Sequence, residues 1–358
     1  MPIDLRTKKL AKLIVDYSLS IKSDENVIIS GSTEASNLIA ELYKAIILKG
    51  AHPILRIALP ELSPFFFKYA KNHQIKKFPD YLEHTIKNAQ KYIGIDTVPN
   101  TRELSDIDPI KIASREKIMQ PITNYIVNEK EKIKRVAVGF PCMALAQEAN
   151  MSLADYEKFV YAACLQDWNK LGKEIDKILK IFKKGKKIHL IGKNVDLKFK
   201  IHGDRAKADK GEENMPGGEI FMAPVRESLA GWIKFEYPAV TSGKEVSDIF
   251  LEFHKGKVIK YNASKNKNYI KAILNTDKNA SYVGEFGIGL NPKIKKFTNN
   301  LLFDEKIANT IHLALGMAYK ENGGGNDSAI HWDIVKDMKK AKIILDNKII
   351  QEKGVWKI

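Results

Sequence analysis

Between Gly323 and Val335 the sequence reads GGGNDSAIHWDIV, placing His331 and Asp333 two residues apart. In an extended strand alternate side chains share a face, so this imidazole and carboxylate project together while Ile330, Trp332 and Ile334 face the other way. The triplet therefore predicts a strand that packs one side and offers a charge-paired or metal-binding couple on the other. Three further places set polar groups beside glycine or proline: Glu219 in NMPGGEIFMAP, Glu285 in YVGEFGIGLNP, and His312 with Tyr319 in TIHLALGMAY. A glutamate inside apolar sequence is expensive to bury unless a cation or a donor meets it. Two histidines, an aspartate and two glutamates form a nitrogen-and-oxygen set suited to zinc, cobalt, manganese or iron, and carboxylates can bridge two ions about 3.5–4 Å apart.

These groups need elements to hold them. The apolar spacing from about Asp304 to Lys320 predicts a helix, on which His312 and Tyr319, two turns apart, share a face with Gly316 between them. Glu305, seven residues before His312, falls on the same predicted face as support behind the ligands. The first half alternates helix and strand patterns: helices over Leu5–Leu19 and Glu34–Lys49, and strands at NVIIS (Asn26–Ser30), HPILRI (His52–Ile57), KYIGID (Lys91–Asp96) and RVAVGF (Arg135–Phe140). Such alternation requires crossover connections and a mainly parallel sheet covered by helices. SGSTEAS, after the first strand, has neither GxGxxG spacing nor a P-loop lysine, and reads as a turn and helix cap. A long helix over Ser152–Lys183 leads to the basic run KKGKK. Beyond it KIHLIGKNVDLKFKI predicts a strand pair turning at Lys193 and Asn194, and a hairpin turns at Lys255–Lys257. The expected division is an amino-terminal α/β domain over 1–185 and a mixed α/β, metal-binding catalytic domain over 186–358.

With 358 residues, 44% of them hydrophobic, the chain can bury a real core and is expected to make two domains. The opening MPIDLRTKKLAKLIVDYSL breaks its apolar positions with lysines and is expected to be an amphipathic helix rather than a signal peptide, and no stretch nears the roughly 20 apolar residues of a membrane span. Cys142 and Cys164 sit in apolar sequence and read as reduced core residues of a cytoplasmic protein. The net charge of +16 raises nucleic acid as a partner. Its distribution argues otherwise, because lysine supplies the excess, arginine is scarce, and no aromatic-interleaved basic stretch or zinc-finger spacing occurs.

In NMPGGEIFMAP, GEFGIGLN, DEKIANTIHLALG and GGGNDSAIHWD, taken in that order, the sequence resembles the thermophilic-type aminopeptidases, dinuclear metallopeptidases. Weaker similarity reaches back through GFPCMALAQEANMSLADYEKF. The resemblance implies a helix-covered amino-terminal domain, a catalytic carboxy-terminal domain and a homodimer acting on short peptides with free amino termini. It implies two divalent metal ions per chain held by Glu219, Glu285, His312, His331 and Asp333, with Tyr319 beside them. Two ions would activate a bridging water and polarise the scissile carbonyl, Glu219 or Glu285 would carry the proton, and Tyr319 would donate to the oxyanion. The connection from His312 to His331 is short for that family, which bears on the length of peptide accepted. Relatives of the same fold include mononuclear iron dioxygenases that open a dihydroxypyridine ring, and His312, His331 and Asp333 could supply their two-histidine, one-carboxylate triad. Retention of both Glu219 and Glu285 speaks against that alternative. A basic nucleic-acid-binding protein on an inherited scaffold is the third.

Overall fold

A computed structural model describes residues 4–241 and 244–357. The chain forms a mixed α/β structure in two compact units: residues up to Gln166 together with Gly211–Pro216, and Asp167–Lys210 together with the chain from Gly217. In the first unit five strands run parallel in the order His52–Ala58, Asn26–Ser32, Lys91–Asp96, Lys134–Gly139, Asn214–Met215. The β-branched run from Val27 to Ile29 is fully buried in this sheet, as a strand covered on both faces must be. Helices close over it: Ile86 and Ile122 pack with Ile28, Ala89 and Ile133 in one apolar cluster. Both cysteines are buried.

The single long helix expected over Ser152–Lys183 is two, Leu153–Cys164 and Trp168–Phe182, because Asp167 leaves the helical path and its carboxylate caps the second through the Lys170 amide at 3.0 Å. The second helix then goes with the carboxy-terminal unit. Its apolar stripe, Leu171, Ile175, Ile178 and Phe182, is buried, and the Phe182 ring meets Trp356 edge-on at 6.4 Å. By packing, then, the division follows Gln166 and is crossed again at Gly211–Pro216, whereas the composition change lies near Gly185.

The second unit is built on two antiparallel sheets. One has eight strands, with the expected turn at Lys193–Asn194 and a hairpin at Lys255–Gly256, where Asn194, Lys255 and Gly256 take positive φ. The other has five: β1 (Lys207–Asp209), β2 (Glu219–Met222), β3 (Val283–Gly289), β4 (Thr310–Gly316) and β5 (His331–Asp337), ordered β5-β4-β3-β2-β1. One face of this sheet carries Ile220, Met222, Phe286, Ile288, Ile311, Leu313, Leu315, Trp332 and Ile334, all buried. Phe286 stands edge-on to Phe199 of the eight-stranded sheet at 5.1 Å. The opposite face carries the polar groups.

The expected helix over Asp304–Lys320 is absent. Only Leu301–Asp304 is helical, and TIHLALG is the interior strand β4. Ile311, Leu313 and Leu315 alternate with His312, Ala314 and Gly316, a period-2 pattern hidden among strong helix formers. Pairing with strands on both sides decides the matter.

Candidate metal centre

Register brings the candidate residues together. Across β3, β4 and β5, Glu285, Ala314 and Asp333 lie side by side, and one step along, Gly316 faces His331. On the other side of β4, His312 stands opposite Gly287, while Glu219 of β2 pairs with Gly289. Ligand-type side chains thus alternate with residues of little or no side chain. The alternation is needed, since a Cβ on Gly287 would stand 2.0 Å from His312 Nε2, and the imidazole lies over that glycine. An irregularity between Val283 and Glu285 re-aims β3 locally, a device common beside active sites.

Glu219, Glu285, His312 and Asp333 are buried, and His331 is partly exposed. His312 Nε2 lies 3.3 Å from Glu285 Oε1 and 3.7 Å from Glu219 Oε2. His331 Nε2 lies 3.4 Å from Asp333 Oδ2, and His331 Nδ1 is 2.9 Å from the Met317 carbonyl. A carbonyl can only accept, so Nδ1 carries a proton, and in the neutral ring Nε2, on the Asp333 side, is the nitrogen left to bind a metal. Two sets of ligand atoms each fall within 4.8 Å: Glu219, Glu305 and His312, and Glu285, His312 and Asp333.

Two of these neighbours were not singled out as ligands by sequence reasoning. Glu305, assigned a supporting place on a helix, leaves the turn after Leu301–Asp304 and joins the ligand atoms directly. Lys306 is wholly buried, forming an ion pair with Glu305 and another with Glu219 at 3.3 Å. The signal for it was a charged DEK triplet directly before an apolar run. Tyr319 lies beyond β4, just before the Lys320–Asn322 turn, with its ring centroid 5.6 Å from that of His331, so it borders the site as the chain runs on past β4 rather than by helical spacing.

The electrostatics follow from burial. Burial pushes the Glu219 carboxyl up to about 8, against the pull of Lys306, and raises Asp333 against its two histidines. Burial disfavours the His312 imidazolium, yet the Glu285 hydrogen bond and the charges of Asp333 and Glu219 outweigh it and lift it to about 10. Burial acts against ionised Glu305 too, but Lys306 and His312 hold it below the ordinary range. Glu219 Oε2, Glu285 Oε2, Asp333 Oδ1 and His312 Nδ1 are buried without hydrogen-bond partners. Orphaned acceptors of this kind are costly, and three on one sheet face around His312 fit a bound cation. The hard oxygen and imidazole donors suit divalent zinc, cobalt or manganese.

Residues 3–356 match the sequence profile of the family described as thermophilic metalloprotease (M29). Among curated proteins, Aminopeptidase 2 of Geobacillus stearothermophilus is 25% identical over 378 aligned residues, spanning 91% of this chain and 90% of that protein. Among solved structures, wild-type AmpT from Thermus thermophilus superposes with a TM-score of 0.84 at 21% identity, covering 99% of each chain. A 2,5-dihydroxypyridine dioxygenase from Pseudomonas putida KT2440 superposes at 0.59 and 13% identity, covering 98% of this chain and 96% of that one. At these identities both superpositions establish a shared fold.

Proposed function

Since the chain belongs to the thermophilic metalloprotease (M29) family of peptide hydrolases, we propose that it is an aminopeptidase that removes single residues from the free amino termini of short peptides, using a water that bridges two divalent ions. The observation that carries this reading is the pair of overlapping ligand sets, Glu219–Glu305–His312 and Glu285–His312–Asp333, on one sheet face. A mononuclear iron triad needs only two histidines and one carboxylate, and leaves Glu219, Glu285 and Glu305 without a purpose.

Glu219, Glu285, Glu305, His312, His331 and Asp333 would hold the ions. When bound, such ions supply an acidified water and Lewis-acid polarisation of the scissile carbonyl. The chain's own groups do the rest. Glu219 and Glu285 each keep a buried oxygen without a partner, so either can take the water's proton and return it to the leaving amine. Tyr319, beside His331, donates its hydroxyl to the developing oxyanion. From the family resemblance we also propose a homodimer assembled through the carboxy-terminal domain. Light scattering that gives only a monomer at every concentration would remove that part. Among the described residues no helix is long and apolar enough to cross a membrane.

The test is cleavage of leucinamide beside N-acetyl-leucinamide by the metal-loaded protein, before and after chelation. Release from the free amine alone, abolished by chelator and restored by zinc, cobalt or manganese, is expected. Equal cleavage of both compounds would exclude an aminopeptidase, and oxygen-dependent opening of a dihydroxypyridine with no cleavage would favour the dioxygenase.

A further inference from the structure

The two ligand sets differ in one respect that the proposed reaction does not use. Lys306 has no solvent exposure, and its ammonium lies 3.3 Å from Glu219 Oε1 and in ion-pair contact with Glu305. Both partners belong to the same set. The other set, Glu285 and Asp333, is neighboured instead by the His331 ring, whose Nε2, the nitrogen left for a metal in the neutral ring, lies 3.4 Å from Asp333 Oδ2. His312 Nε2 lies between the sets, 3.3 Å from Glu285 and 3.7 Å from Glu219. One nitrogen lone pair serves one ion, so whichever half draws His312 gains a ligand that the other loses.

On the two-ion reading, we propose that Lys306 makes the halves unequal: it weakens divalent-ion binding at the Glu219–Glu305 half, so that the Glu285–Asp333 half fills first and empties last. The physical basis is a fixed positive charge. An ammonium that already uses one oxygen of each glutamate occupies acceptor capacity and repels a second cation at short range in a site shielded from water. The charge count agrees. Asp209, buried and paired in register with Glu219, joins Glu219, Glu285, Glu305 and Asp333 as a fifth carboxylate. Two divalent ions and one lysine balance five carboxylates when both histidines bind as neutral ligands. Lys306 is therefore a positioning residue: it acts on the ions through Glu219 and Glu305.

The experiment strips the full-length, cobalt-loaded protein stepwise against increasing chelator, reading cobalt content by atomic emission and coordination by visible absorption. The wild type should release its two ions at chelator concentrations well apart. Lys306→Met should move the first release by at least about tenfold towards the second, a modest fraction of what one short-range charge commands. Lys306→Arg, which keeps the charge, should restore the wild-type separation. Glu305→Gln, which leaves Lys306 paired with Glu219, should lose only the weakly held ion and covers the case in which Lys306→Met does not fold. Release steps unchanged in Lys306→Met, or loss of the tightly held ion in Glu305→Gln, overturns the inference while leaving two ions in place. A single ion per chain in wild type and variants alike overturns the two-ion reading and the inference with it.

Discussion

Replacing Gly287 by alanine tests whether the sheet face is shaped around His312. The new methyl would stand 2.0 Å from His312 Nε2 and 2.1 Å from Cε1. Ordinary contact requires about 3.5 Å, so the ring has to move by about 1.5 Å. His312 is fully buried and anchored between Glu285 and Glu219, so the movement breaks one ligand set or both. Gly287 does not have a positive φ, so the substitution carries no backbone strain and the effect isolates the collision. Overpacking of this kind costs about 1–3 kcal/mol in the metal-free protein. With metal at a hundred times its dissociation constant, the wild type gains about 2.7 kcal/mol from one bound ion, and a variant that cannot bind forfeits that as well. Denaturant unfolding with and without metal separates the two contributions. Gly325→Ala serves as the control, because a Cβ there has no neighbour within 4 Å. A Gly287→Ala protein that unfolds like the control and takes up wild-type metal would refute the placement of the His312 ring over Gly287.

Tyr319→Phe should retain full metal content and lose roughly a hundredfold in turnover, the usual consequence of removing one oxyanion donor; loss of metal instead would make the tyrosine a structural support. His331→Ala should lose metal first, with activity falling in proportion to metal content. For pH, folded His312 lies near 10 against an ordinary 6.5 and folded Glu219 near 8 against 4.5. The raised His312 therefore stabilises the metal-free protein fully below pH 6.5 and ceases to as pH rises through about 10, and Glu219 acts in the same direction between 4.5 and about 8. Metal needs both groups deprotonated, so the difference in melting temperature between loaded and stripped protein should widen from pH 6 to 9, and a constant difference would count against these titrations.

The parallel sheet of the first unit was legible because its longer strands are short apolar runs between turn residues, and in Asn26–Ser32 the consecutive burial of Val27, Ile28 and Ile29 needs no alternation to be seen. The long helix was drawn too far, since Leu165 to Asp167 break it with a cap visible only once Asp167 is known to meet the Lys170 amide. At His331 and Asp333 the alternation was explicit, and β5 presents them on one face as the spacing implied. The stretch around His312 misled for a definite reason. Ile307, Ile311 and Leu315 satisfy a helical period as well as Ile311, Leu313 and Leu315 satisfy a strand's, and alanine, leucine and methionine tip local preference towards helix.

The misread helix nevertheless left the candidate residues on one sheet face, because donor chemistry is independent of the element that carries it, whereas neighbour relations are not. Glu219, Glu285, His312, His331 and Asp333 were chosen by residue type, by the cost of burying the two glutamates in apolar sequence and by the family resemblance of their motifs, and none of those arguments depends on whether a helix or a strand carries them. The spacing arguments for Glu305 and Tyr319 rested on a seven-residue helical repeat, and they fail; the resemblance that places Tyr319 beside the site does not depend on it. A turn after Asp304 delivers Glu305 among the candidate ligand atoms, and the continuation of the chain past Gly316 towards the Lys320–Asn322 turn delivers Tyr319 beside His331. Lys306 was out of reach for the same reason. On a helix it points away from Glu305, while on the turn the two adjacent side chains converge on Glu219. The glycines tell the same story, for only in a strand pairing do Gly287 and Gly289 stand opposite His312 and Glu219, and a sheet face that must hold cations needs those gaps as much as it needs the ligands.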